Sequence, residues 1–401
     1  MHRAKQLLGF IGVILLLGYL VKPFAIKKIG GDFEGIKSVY SSATQTMIDS
    51  LFTNQDTIHD YHCHLIGLGQ NNTGCYVNEN MAKGEDLAEY IKFEVYLSAS
   101  GVTDKGKVDE QYLERLKSLV KNMPSPFIAH ILAFDKFYDE SGKADLEKTT
   151  FYVPNKYVFK VATANPEIFA PCISIHPYRK DALSELEKYG KLGVKQVKWL
   201  PNAMGINPSH ILCVPFYDIM KKYDMTLLSH AGHEQAVHAE ELQAFGNPLH
   251  LRLPLDMGVK VILAHCGTLG ENVDLDNPEN GEVSNYELFL RLMNEPKYNE
   301  LLHADISAIS QYNRYEEGFQ VLDESNDLKS KLVYGSDYPL PAINFLTRLS
   351  SIESDGYITE EEEGALEEIY ESNPLLFDVV LKKIIRSKKG NRFSDEVFLK
   401  K

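Results

Sequence analysis

Two histidines spaced two apart, His62 and His64 within Asp60-Tyr61-His62-Cys63-His64-Leu65, mark where this chain could do chemistry. Side chains two apart on a β-strand share a face. Both imidazoles are therefore expected to aim one way, with Tyr61 and Cys63 aiming the other. A pair of neutral imidazoles is the start of a site for Zn, Fe, Mn or Ni. Alone it means little, because such pairs arise by chance. Weight comes from other polar groups near the ends of strand-like runs: Lys198, His230, His265 and Asp337. Alternation groups Thr226, Leu228 and His230 on one face of their run, Val261, Leu263 and His265 on theirs, and Val333, Gly335 and Asp337 on theirs. Each strand-end group is then expected to turn toward a common axis. Rival readings make Asp337 a helix N-cap and Lys198 a snorkelling or ion-paired lysine. Cys63, off the histidine face, is expected to pack beneath a helix.

Such convergence needs a scaffold, and the apolar pattern supplies one. Eight short runs recur, at 57–64, 126–134, 169–176, 194–201, 225–231, 259–266, 301–309 and 331–338. Amphipathic stretches such as 208–223 and 285–294 separate them, and another at 359–371 opens on Thr359, a good N-cap. The alternation predicts an α/β fold of the (β/α)8 TIM-barrel type. A doubly wound open sheet is the runner-up, and no GxGxxG loop supports it. Segments entering strands are short (189–193, 222–224, 256–258), whereas those leaving them are long (67–83, 231–248, 267–284). That asymmetry is expected where loops at the C-terminal strand ends build an active site. The predicted organisation is an N-terminal hydrophobic segment at 1–30, a linker at 31–55, the barrel at 56–386 and a frayed charged tail at 387–401.

Composition bounds the partners. The 401 residues are 44% hydrophobic and 24% charged, which suits a globular chain with a sizeable core. A formal charge of -14, from 56 acidic and 42 basic residues, argues against a nucleic-acid partner. Five scattered cysteines have no paired spacing and read as free thiols. Near the start, His2, Arg3 and Lys5 precede the uncharged residues 7–21, and an apolar extension runs on to Ile26. This reads as an uncleaved membrane anchor, with a cleaved export signal or a buried helix as alternatives. The expected location is therefore membrane-anchored or exported, with sidedness open because basic residues flank both ends.

In order, the histidine pair on the first strand, single histidines after the fifth and sixth, and Gly335-Ser336-Asp337-Tyr338-Pro339 on the eighth resemble the amidohydrolase superfamily. More narrowly they resemble its amidohydrolase-related group, which also contains aromatic-acid and amino-muconate semialdehyde decarboxylases. The resemblance spans residues 55–380 and includes Glu371-Ser372-Asn373-Pro374-Leu375-Leu376-Phe377. It implies that His62, His64, His230 and Asp337 ligate a divalent cation, most often zinc. It further implies that His265 contacts the attacking water or an oxyanion, and that Asp337 exchanges the proton. In binuclear relatives a lysine at the position of Lys198 is carboxylated and bridges two ions. The narrower group implies one ion, the expectation taken here. His176 and Arg179, after the third strand, are expected on the active face. Arg179 there pairs either a substrate carboxylate or a surface acid. His233 and His238 are as readily solvated as functional. The expected activity is metal-dependent hydrolysis of an amide, lactone or ester-like bond of a small molecule. A decarboxylase on the same scaffold and a noncatalytic membrane-tethered barrel are the rivals, and homo-oligomerisation stays open.

Overall fold

The computed structural model of the chain describes residues 39–83, 87–237 and 239–399, together with 26 and 36. Eight parallel strands follow one another around a barrel: β1 (Ile58–His64), β2 (Phe127–Leu132), β3 (Phe169–Ile173), β4 (Gln196–Trp199), β5 (Thr226–Ser229), β6 (Lys260–Leu263), β7 (Leu302–Asp305) and β8 (Leu332–Val333). Every expected run contains one of them. β8 is too short for a full ladder with β1, so closure rests on backbone bonds. Tyr61 N–H reaches Tyr334 O at 3.0 Å, Asp337 N–H reaches His62 O at 2.7 Å, and His64 N–H reaches Tyr338 O at 2.9 Å.

Most apolar side chains, including Val197, Leu227, Val261, Leu263 and Leu302, pack between the strands and the surrounding helices. A separate small layer fills the barrel itself: Leu132, Cys172, Leu228, Ile262, Ala264 and Val333, with Tyr61 against them. This layer corrects two expected facings. On β6, Ile262 and Ala264 face inward, whereas Val261 and Leu263 face the helices. On β1 the pairing register slips between Asp60 and Cys63, a bulge that lets Tyr61 face the interior while Cys63 joins the outer core. Cys63 is fully buried in that outer core, as expected.

Both flanks differ from the expected layout. Residues 42–51, expected as linker, form the helix Ser42–Leu51, which buries Ile48. Its start is pinned to the helix Glu360–Ser372 by Ser41 N–H to Glu368 Oε1 at 2.7 Å. The latter helix opens on Thr359 with a full capping box. At the other end the expected frayed tail is packed, because Val397 and Phe398 are buried and Val397 O accepts the Tyr334 N–H at 2.8 Å. Charge count hid this apolar anchor.

The membrane expectation is corrected. Among the described residues no helix is long and apolar enough to cross a membrane. The apolar run at 7–21 itself lies outside the described residues.

The helix Pro374–Ile384 is nearly all buried beneath β8. Lys382 and Asp378 pair there at 2.7 Å. Lys382 Nζ also donates to Gly335 O at 2.9 Å, and Tyr334 Oη donates to Asp378 Oδ2 at 2.8 Å. Removing one partner of a buried pair strands the other charge. Asp378→Ala is therefore expected to lower stability by about 3–5 kcal/mol, read from denaturant unfolding. A loss below about 1 kcal/mol would show that Lys382 finds water or another acceptor.

Candidate active site

The bulge in β1 and the sharp turn after β8 bring the first three groups together. Asp337 sits in the left-handed region at φ 62, and Asp337 Oδ1 lies 3.1 Å from His64 Nε2 and 3.5 Å from His62 Nε2. One buried carboxylate ties the two segments. Asp60 Oδ1 accepts the N–H of His62 at 3.0 Å and of Ser336 at 2.9 Å, and Asp60 Oδ2 accepts the Ser336 hydroxyl at 2.6 Å. Burial pushes the Asp60 carboxyl up to about 6, against these hydrogen bonds. Gly335 is required here, since a Cβ would stand 2.8 Å from His62 Cβ and 3.2 Å from Ser307 Cβ.

β7 contributes what the sequence reading passed over. His62 Nδ1 lies 2.9 Å from Asp305 Oδ2, and Asp305 Oδ1 accepts the N–H of His265 at 2.9 Å and of Ser307 at 3.0 Å. Burial favours the neutral form of Asp305, but His62 and His265 overcome it and hold the carboxyl below its ordinary range. An ionised carboxylate only accepts. His62 therefore donates from Nδ1, which leaves the Nε2 lone pair toward Asp337 and Lys198. The Ser307 hydroxyl likewise gives its hydrogen to Asp305 Oδ1, a close contact. Ser307 Oγ must then accept from His265 Nδ1, 2.8 Å away, so the lone pair of His265 is on Nε2 as well. The strand-end pair Asp305 and Ser307 has the same two-residue spacing as His62 and His64, the signal that could have found it.

His230 and His265 stand with ring centroids 5.0 Å apart, and His265 is 5.0 Å from His62. His265 reaches this position through a left-handed turn at φ 58, not through strand alternation. Burial lowers the pKa of His62, His230 and His265, so all three are neutral near pH 7. Burial alone would raise Asp337, yet His62, His64 and His265 pull it well below the usual carboxylate range. Lys198 Nζ lies 2.9 Å from His62 Nε2, and burial lowers its pKa against the pull of Asp337 and Asp305. Glu234, a further unread residue four after His230, places Oε2 3.6 Å from His230 Nδ1. These groups line the floor of one pocket whose empty space, counted out to solvent, is about 1180 Å³.

Two expected residues are elsewhere. Arg179 pairs Asp135 at 2.8 Å and Asp181 at 2.7 Å and does not line the pocket, which selects the salt-bridge alternative. His176 is buried against Met204 O at 2.8 Å, its pKa lowered by burial to about 3, and it also stays outside the lining. Each lies beyond the end of β3 at Ile173. His233 Nε2 contacts Glu271 O at 2.9 Å, and His238 lies outside the described residues.

The donor set fits a metal ion. Ligand atoms about 2.1 Å from a tetrahedral ion stand roughly 3.4 Å apart, and the 3.1 and 3.5 Å separations around Asp337 Oδ1 match that spacing. His62, His64 and Asp337 form a compact group of ligand atoms. His230 lies outside this tight group, but its buried Nε2 has no hydrogen-bond partner, an open valence that an ion would satisfy. Neutral imidazoles whose other nitrogen donates to a carboxylate or hydroxyl are the form that binds metal. Lys198 now rests on the lone pair of His62, so lysine and ion compete for one atom.

No curated protein matches the sequence. Solved structures that resemble it include an uncharacterized TIM-barrel protein from Bordetella bronchiseptica, at 16% identity over 81% of this chain and 99% of that one, with a TM-score of 0.47. A putative 2-pyrone-4,6-dicarboxylic acid hydrolase from Pseudomonas putida is 13% identical over 82% and 98%, with a TM-score of 0.42. A 5-carboxyvanillate decarboxylase from Novosphingobium aromaticivorans, solved with bound manganese, is 9% identical over 81% and 95%, with a TM-score of 0.40. At these identities the likeness concerns the fold alone. The family model described as amidohydrolase matches residues 60–343, most of the barrel and every group named on the pocket floor, so the chain belongs to the amidohydrolase family.

Proposed function

We propose that this chain is a metal-dependent hydrolase of small molecules, cleaving an amide, lactone or ester-like bond at the C-terminal face of the barrel. The observation that carries this reading is an ionised, buried Asp337 held against two imidazole nitrogens at ion-ligand spacing. His62, His64, His230 and Asp337 would hold the ion, and a set of three imidazoles and one carboxylate suits zinc. When bound, a divalent ion supplies Lewis acidity, which makes water nucleophilic near neutral pH.

The protein's own groups do the rest. Asp337, already ionised, accepts the proton of the attacking water and returns it to the leaving group. His265 presents a lone pair at Nε2, so in its neutral form it accepts a hydrogen bond from that water. That revises the expected oxyanion role, which needs a donor at Nε2. Ser307 and Asp305 fix this tautomer. One ion is the favoured count, because His62, His64 and Asp337 gather around one point and Lys198 Nζ lies within hydrogen-bond reach of His62 Nε2 in the same cluster.

Metal analysis of reconstituted protein is expected to give about one equivalent per chain, the count of a three-to-four-ligand site. His62→Ala should lose that ion and Lys198→Ala should keep it. Two equivalents, one of them lost in Lys198→Ala, would contradict the single-ion reading. On a panel of neutral activated esters, lactones and amides, chelation should abolish turnover and added metal restore it. Asp337→Asn should lower kcat by at least about a hundredfold. Carbon dioxide release from carboxylated aromatic or muconate acids, without hydrolysis of any panel member, would favour the decarboxylase instead.

A further inference from the structure

The pocket above the ligand group has a composition that narrows what it can take. Its floor is polar, but its far wall is hydrocarbon: Leu68, Val77, Met81, Phe93, Leu97 and Val108. All six come from the long excursion between β1 and β2. They pack on one another as an apolar cluster separate from the barrel core. Met81 lies on the helix Glu79–Lys83, Phe93 and Leu97 one turn apart on Leu87–Ala99, and Val108 opens the helix Val108–Lys121. The wall is preformed. Buried Asp109 accepts the N–H of Leu68 at 2.7 Å and of Gly69 at 3.1 Å, which pins the loop. Tyr96 Oη donates to Ala236 O at 3.1 Å and joins the excursion to the loop after β5.

The wall itself carries no charge: among the described residues, the excursion between β1 and β2 contributes no charged side chain to the pocket lining. Among the described lining residues, the side-chain cations other than histidine are Lys198 and Arg314. Lys198 is on His62. Arg314 donates to Thr268 O in a close contact, to Thr268 Oγ1 at 3.1 Å and to His233 O at 3.3 Å. The Glu234 carboxylate accepts from the backbone of Ala236 and Val237. A substrate carboxylate lying along this wall would lose water and gain no partner.

We infer that the substrate is a neutral ester or lactone with an elongated hydrocarbon body, the reacting carbonyl over the floor and the hydrocarbon against the Leu68–Val108 wall. This inference rests on the hydrolytic reading for the bond cleaved, and on the wall alone for the body recognised.

Two measurements on the metal-loaded full chain separate those grounds. The first is calorimetric binding of methyl ketones from butanone to undecanone, which cannot be hydrolysed, beside the same ketones bearing a carboxylate at the far end. Affinity of the neutral series should rise about three- to fourfold per methylene until the wall is covered. The far-end carboxylates should bind at least about tenfold more weakly. The second is kcat/KM for p-nitrophenyl esters from acetate to octanoate, which should rise with length in the same way. Leu97→Ser, and Leu68→Ser at the less buried edge should the first variant not fold, should flatten both slopes. Neutral ligands that bind with no dependence on length, or carboxylates that bind as well, would overturn the inference. Length-dependent ketone binding without cleavage of any ester would uphold the wall and reject the hydrolytic reading.

Discussion

One buried carboxylate holds the two ends of this site together. Asp60 Oδ1 takes the backbone N–H of His62 and of Ser336, so the strand carrying the histidine pair and the turn carrying Asp337 are tied to the same oxygen. The barrel needs that tie where it has it. β8 is two residues long and cannot hold β1 by a ladder. Three backbone bonds and the Asp60 bridge replace it, and they fall beside the groups whose spacing matters. The cost is a carboxylate taken out of water, visible in its raised pKa. The helix Pro374–Ile384 braces the same turn from below through Lys382 to Gly335 O.

A second carboxylate sets the protons. Asp305 is ionised because His62 and His265 surround it, and its ionisation decides which nitrogen of each ring keeps a lone pair. Buried imidazoles that are neutral, together with a carboxylate that is charged, form a set poised for a cation more than for a proton. The open Nε2 of His230 belongs to the same logic. These supports rest on strands, whereas the apolar wall rests on the β1–β2 excursion. Chemistry and recognition therefore sit on different parts of the chain.

Much of this was legible in the sequence. All eight strands, the capping Thr359 and the strand-end placement of His62, His64, His230, His265 and Asp337 follow from the sequence pattern, and alternation alone gives the facing of His230 and Asp337. Where alternation failed, a backbone irregularity intervened. The β1 bulge re-aimed Tyr61 and Cys63 relative to each other, and the left-handed turn at His265 delivered a residue from a strand whose facing had been read in reverse. Such features depend on pairing across strands and leave no local signature. The two alternatives for Arg179 could not be separated, because its acid partner Asp135 is distant in sequence. Asp305 and Ser307 share the two-residue spacing of the histidine pair but act only as hydrogen-bond partners of His62 and His265, a role that depends on strands far apart in sequence. The wall was hidden for a different reason: its six residues are spread over some forty positions and look individually like ordinary core.

The central claim is that His62, His64, His230 and Asp337 converge on one divalent ion. Anomalous diffraction from crystals of metal-loaded protein, at the absorption edge of the ion, tests it most directly. The account predicts one peak within about 2.0–2.4 Å of His62 Nε2, His64 Nε2 and Asp337 Oδ1, with the valence of His230 Nε2 filled and Lys198 moved off His62. A metal-loaded crystal with no peak there, and Lys198 still seated on His62, would contradict it.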